Sequence, residues 1–389
     1  MSCGECDKCR ALGYKFCIKC GQSFAEEANV PEHHIVDEPK PFFDLLVVPA
    51  IIVTVIALII DAAFIVIDFP LTFEWLFNRT DYIVLYPFDF IRLMVKGQAL
   101  QAYWFVIAVA LISAALVFIY DSRDAFRPKE PNYRDRWTAT PLFWLSLLLG
   151  STMLIEIALS LILSAMGSPI VIPSALVDLP LEKALFLFSE AAFWEEICFR
   201  LFIFGVPMMV IAAIARQKDF YKYPLGGFGV TRIGVIMMII SAIIFAYAHV
   251  DGWGFSKMFT VIIGGLVFGY LFMRFGIHVS MMAHMITDFS GVLMAGMDDF
   301  TSALLILSIL VTGFICIAPL LIHTVKGVGN LKTMRWIGKP VPAAEAAAPE
   351  FADDITEECY DDDLQAEPEE VERIQSADAQ DDSQGPRMD

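Results

Sequence analysis

Leu185-Phe-Leu-Phe-Ser-Glu-Ala-Ala-Phe-Trp-Glu195-Glu196-Ile-Cys-Phe-Arg200-Leu-Phe-Ile-Phe-Gly205-Val-Pro207 is the stretch whose reading decides the fold. Its length and apolarity predict a helix at membrane depth. A charged group at the centre of such a helix costs roughly 2.5–3.5 kcal/mol on insertion scales. Three ionisable residues within six positions are therefore functional candidates, provided that partners exist for them. At about 100° per residue, Glu196 and Arg200 stand one turn apart on nearly the same face. Glu195 points elsewhere, so Arg200 can neutralise one carboxylate and leave the other free.

Outward from this stretch, the chain repeats the same apolar signal. Of its 389 residues 57% are hydrophobic, and the mean hydropathy is +0.62. The fold class expected is an all-α polytopic membrane protein with about eight transmembrane helices. Spans are predicted near residues 42–67, 100–120, 140–166, 181–214, 233–250, 256–274, 277–297 and 300–323. Asp61, in the first, is read as a buried packing partner or an end-of-helix residue, and Glu156, in the third, as a packing or pairing residue. Span four is too long for one straight crossing, and Gly205 and Pro207 offer a kink. Aromatic residues gather in 68–99 (Phe73, Trp75, Tyr82, Tyr86), which reads as an interfacial segment. Residues 42–139 thus form N-terminal membrane helices with an interfacial piece, and 140–323 a membrane core.

Charge gives the orientation. The loops 121–137 (Arg123, Arg127, Lys129, Arg134, Arg136) and 215–232 (Arg216, Lys218, Lys222, Arg232) are basic and should face the cytoplasm, whereas 167–180 lacks Lys and Arg. No signal peptide pattern is visible. An integral protein of the cell membrane with both termini cytoplasmic satisfies these signs. The formal net charge of −18 is concentrated in the tail, since residues 340–389 hold 17 Asp/Glu against two Arg. Residues 324–389 are expected to be a cytoplasmic tail, disordered and acidic from about 340. With the remainder nearly balanced, nucleic-acid binding is not expected.

Residues 1–22 carry Cys6-x2-Cys9 and Cys17-x2-Cys20, with Cys3 as a surplus thiol. Four thiolates at this spacing suit a structural zinc, and Phe-Cys-Ile-Lys-Cys-Gly resembles the second knuckle of zinc-ribbon domains. A redox or disulfide role is the alternative, disfavoured in the cytosol. The ribbon is a candidate platform for a protein partner, and 23–41, with His33 and His34, reads as a linker.

Two further constellations accompany the glutamates: Phe245-Ala-Tyr-Ala-His249 at the end of span five, and His284-Met-Ile-Thr-Asp288 within span seven. At i,i+4, His284 and Asp288 share a face. His278 and His323 lie off this face or at a membrane edge and read as structural. There is no His-Glu-x-x-His, and Gly254-Phe-Ser256-Lys-Met lacks the second glycine of a serine nucleophile elbow.

Glu195-Glu196-x3-Arg200, Phe245-x3-His249 and His284-x3-Asp288, in that order on separate spans, resemble the CPBP family. It comprises the type II CAAX prenyl endopeptidases and bacteriocin-processing or self-immunity proteins, often called Abi proteins. The resemblance covers about residues 140–323. It implies an eight-helix intramembrane endopeptidase acting on a protein or peptide substrate, lipidated in some members, within the bilayer. It implies Glu195 as general base supported by Glu196 and Arg200, with His249 and His284 shaping the site and standing as candidate ligands of a catalytic divalent metal such as zinc. Asp288 departs from the pattern, where asparagine is usual. It is expected either to ligate a metal beside His284 or to donate a hydrogen bond in its protonated form. Two other functions compete. One is a non-catalytic scaffold or self-immunity protein of the same fold. The other is a transporter, against which the lack of a visible inverted repeat counts.

Overall fold

Apolar runs with no water to satisfy their backbone can only close their hydrogen bonds within a helix, and helices dominate the molecule. The computed structural model describes residues 42–86, 91–126, 137–176, 179–217, 219–330 and 334–337. The cysteine module, the linker and the acidic tail lie outside the described residues. Eight helices are labelled here in chain order: α1 Val48–Phe77, α2 Gln98–Ser122, α3 Pro141–Ala165, α4 Leu181–Ile214, α5 Arg232–Ala248, α6 Lys257–Phe275, α7 Ile277–Gly296 and α8 Asp299–Gly329. Six of them (α1, α2, α3, α4, α6 and α8) are long and apolar enough to cross a membrane. Helix α5 is apolar but has only 17 residues. Helix α7 is the most enclosed, with every residue from Val279 to Ile286 buried. It packs against α4, α6 and α2. A helix walled by other helices need not be as apolar as one facing lipid, which lets α7 carry Ser280, His284 and Asp288.

The expectation of an all-α chain is corrected in one place. Within the segment read as interfacial, β1 Thr80–Val84 pairs antiparallel with β2 Arg92–Lys96, with Thr80 opposite Lys96 and Val84 opposite Arg92. Tyr82, Ile83, Val84 and Val95 favour extended backbone. Helix α1 also runs ten residues beyond its expected end, passing through Pro70 to Phe77. Asp61 is thus well inside the helix, not at its end.

Helix starts follow local chemistry. Thr140 accepts from the Phe143 N–H to open α3, and Thr231 accepts from the Gly234 N–H to open α5. Close helix packing depends on small residues. A Cβ on Gly269 of α6 would come 2.7 Å from Met238 Cγ of α5, and one on Gly265 would come 3.1 Å from Ala242. Helices α6 and α7 are joined through Gly276 alone, at φ +113°, a conformation that L side chains rarely adopt.

Candidate active site

Helix α4 is not a uniform α-helix. From Glu196 to Gly205 it is wound as a π-helix between two α-helical segments. Such i→i+5 segments are rare and concentrate at functional sites. The π-segment ends where Gly205 meets the turn Phe220–Leu225, since a Cβ there would lie 2.6 Å from Pro224 O. The expected kink is therefore a change of helical winding, placed directly on the second glutamate.

The two glutamates receive different environments. Glu196 is fully buried and completely partnered. Its Oε2 lies 3.3 Å from Arg200 Nε and accepts from the Ser280 hydroxyl, and its Oε1 accepts from His284 Nδ1 at 2.9 Å. Arg200, also fully buried, donates from Nη1 to Ser241 Oγ at 3.0 Å, and Ser241 donates onward to Phe199 O at 2.8 Å. The guanidinium also sits over the rings of Phe245 and Phe268, at 5.0 and 5.8 Å. A buried charge requires this kind of enclosure to persist.

Glu195 has none of it. Its Oε2 is buried without a hydrogen-bond partner, and it stands 3.7 Å from His249 Nε2 and 3.7 Å from His284 Nε2. Neither distance is a hydrogen bond, but each suits a bridging water. The ring nitrogens have distinct duties, assigned from their partners. His249 Nδ1 donates to Phe245 O at 2.9 Å, which leaves Nε2 as an acceptor in the neutral ring. His284 Nδ1 faces Glu196, while its Nε2 faces both Glu195 and Asp288 Oδ2, the latter at 3.4 Å. Phe268 stacks on His284 with ring centroids 4.8 Å apart, fixing its plane. The side chains of Glu195, His249 and Asp288 keep 17–20% of their surface exposed, so the centre has an open side.

All six residues singled out in the membrane core, Glu195, Glu196, Arg200, His249, His284 and Asp288, meet in this one site. His278 lies elsewhere, 3.1 Å from Asp121, and His323 pairs with Asp44 at 3.2 Å. Ser280 and Ser241 were missed by the sequence reading. Ser280 had a signal, since it precedes His284 by one helical turn and so shares its face. Ser241 had none, being one serine in an apolar helix.

The candidate metal ligands were also placed. His249 and His284 present Nε2 atoms on either side of Glu195, but Glu196 is consumed by Arg200, Ser280 and His284. Among the described residues, no group of three or more His, Cys, Asp or Glu is disposed to hold a metal ion. The side chains present therefore do not make a complete ligand set. The thiols Cys6, Cys9, Cys17 and Cys20 are outside the described residues.

Comparison with known proteins bears on the same segment. No curated protein and no solved structure matches the chain. A family model does match, over a part of the chain that begins just before α4 and ends just after Asp288. Residues 179–290, a range that contains all six residues of the site, match the family described as Type II CAAX prenyl endopeptidase Rce1-like.

Proposed function

We propose that this protein is an intramembrane endopeptidase in which Glu195 activates the water that attacks a peptide carbonyl, within a body of eight crossing helices that α5 and α7 complete. The observation that carries this reading is the contrast between neighbours: a fully satisfied Glu196 beside a buried, unpartnered Glu195 Oε2 that faces two imidazole nitrogens. The family match supports the reaction class.

A water between Glu195 Oε2 and His249 Nε2 donates one hydrogen to each. Glu195 takes a proton as the water oxygen bonds to the carbonyl carbon, and the carbonyl π electrons move to oxygen. A proton on His284 Nε2, held at rest toward Asp288, is the hydrogen-bond donor that the site offers to this oxyanion. Collapse re-forms the carbonyl and breaks the C–N bond, while Glu195 returns its proton to the departing amine. The products are a carboxylic acid and an amine, and Glu195 is regenerated. Glu196 and Arg200 touch no reacting atom; they hold His284 in place. Substrates are membrane-associated proteins or peptides, with CAAX-type chain ends the class that the family match favours.

The test is cleavage of prenylated and unprenylated peptides by purified protein in vesicles, beside Glu195→Gln. The variant should lose turnover by about two to four orders of magnitude, the range of a general base, and keep its melting profile. Wild-type turnover should survive dialysis against a chelator. Cleavage by well-folded Glu195→Gln sinks the base assignment. Loss on chelation with recovery on adding zinc puts a metal at His249 and His284 instead.

A further inference from the structure

The β1–β2 ribbon meets the site helix at two points, one on each side of the glutamate pair. Before the pair, Trp194 Nε1 donates to the carbonyl oxygen of Val84, the last residue of β1, at 2.7 Å. After it, the Tyr86 ring stacks on Phe199, with centroids 5.9 Å apart and planes 24° from parallel. Between these anchors, the Cys198 thiol is hydrogen-bonded to the Tyr86 backbone. Three residues of chain, 84 to 86, thus bracket Glu195 and Glu196.

The spacing of the anchors fits the winding of the helix they hold. In an α-helix, at about 3.6 residues per turn, Phe199 would point about 140° away from Trp194. The i→i+5 bonding of a π-segment turns residues five apart back towards a common face. That segment starts at Glu196, between the two anchors. Because π winding is rare and helices in proteins draw most of their stability from tertiary packing, its persistence here calls for outside support. Phe199 then passes the constraint inward. Its ring meets Phe245 edge-on at 5.0 Å, and Phe245 O accepts from His249 Nδ1. Its own carbonyl accepts from Ser241, the partner of Arg200. One aromatic residue links the ribbon to His249 and to the ion pair that orients His284.

We infer that the end of β1 is the template for the π-segment, and that Trp194 and Tyr86 are positioning residues that aim the Glu195 carboxylate. With Trp194 fixed on one side and Phe199 on the other, the turn between them has one winding open to it. That winding leaves Glu195 Oε2 at 3.7 Å from both His249 Nε2 and His284 Nε2. The consequence for turnover rests on the endopeptidase reading, whereas the control of winding does not.

The experiment separates the two anchors. Trp194→Phe keeps a ring and removes the N–H, Tyr86→Leu removes the stack, and Tyr86→Phe retains it. Trp194→Phe and Tyr86→Leu should each lower kcat for peptide cleavage by about ten- to a hundredfold, as a misplacement of about 1 Å does, with KM within about twofold of wild type. Tyr86→Phe should restore kcat. The double variant Trp194→Phe/Tyr86→Leu should lose less than the product of the single losses, because both act on one segment. Amide hydrogen exchange of the resting protein in vesicles reads the winding apart from turnover. Amides of Glu196–Gly205 should exchange on the order of tenfold faster in Trp194→Phe, while those of α8 keep the wild-type rate. Wild-type kcat in Trp194→Phe overturns the inference and leaves the endopeptidase intact. So does a loss confined to KM, or faster exchange spread over every helix, which is plain destabilisation. Faster exchange confined to Glu196–Gly205 in a protein that cleaves nothing would keep the role of the ribbon and sink the protease reading.

Discussion

Helices α1 and α4 both bury acidic residues, and they treat them in opposite ways. On α4, Glu196 has three side-chain partners, and Arg200 is itself held by Ser241 and two aromatic rings. On α1, Asp61 and Asp68 are 2% and 3% exposed, yet Asp61 Oδ2 and both carboxylate oxygens of Asp68 have no hydrogen-bond partner. Burial of a carboxylate is thus not the mark of the site. What separates the regions is convergence: Arg200 of α4, His249 at the end of α5, and Ser280 and His284 of α7 all reach Glu195 or Glu196, whereas the α1 aspartates are met by no side chain that hydrogen-bonds to those oxygens. Asp288 falls between, with one partner in His284. The three cases predict a graded series of mutational effects.

The largest effect on stability should come from Glu196→Ala. Removing one partner of a buried ion pair leaves the other charge without compensation, at a cost of about 3–5 kcal/mol. Arg200 would be stranded at 0% exposure, and the Nδ1–H of His284 and the hydroxyl of Ser280 would lose an acceptor. Thermal unfolding in detergent should show a marked drop in Tm, with turnover lost as His284 loses its orientation. The double variant Glu196→Ala/Arg200→Met should recover part of the Tm but none of the turnover. Wild-type melting in the single variant would break the contrast with α1.

An intermediate effect is expected at Asp288. A carboxylate that only accepts from His284 Nε2 can be replaced by an amide oxygen. Asp288→Asn should therefore keep turnover within about tenfold of wild type, whereas Asp288→Leu should lose about a hundredfold. If Asn is as inactive as Leu in a peptide-cleavage assay, the negative charge itself is needed, and a cation beside His284 becomes the better account.

How much of this could be read beforehand follows from what sequence records well. Apolar runs mark helices, so all eight were legible, with the end of α1 misplaced because the aromatic residues from 68 onward read as an interfacial segment. The pairing of Glu196 with Arg200 was legible because both lie in one helix one turn apart. The convergence of Glu195 with His249 and His284 was suggested only by resemblance, since no local pattern links residues 54 and 89 positions apart. The hairpin at Thr80–Lys96 was hidden by its aromatic residues, which fit a headgroup position equally well. It reaches the site helix through Trp194, whose Nε1 donates to Val84 O at 2.7 Å. The π-winding of Glu196–Gly205 has no signature in composition.

The smallest effect, and the sharpest check on the comparison, belongs to Asp61. A buried polar atom without a partner costs about 1–3 kcal/mol, and an apolar group of the same shape removes that cost. Leucine is close to aspartate in shape, and Asp61 sits in an apolar stretch of the helix, with Val55, Leu58 and Ile65 packed into the core. Asp61→Leu should therefore leave Tm unchanged or raise it, and peptide cleavage should stay within about twofold of wild type because Asp61 touches no member of the site. Loss of the carboxylate at Glu196 should lower Tm markedly, so the pair of variants isolates partnership from burial. A fall of about 3 kcal/mol or more in Asp61→Leu would mean that this carboxylate has a partner beyond the described side chains. In that event α1 would have to be counted with α4 as a functional helix.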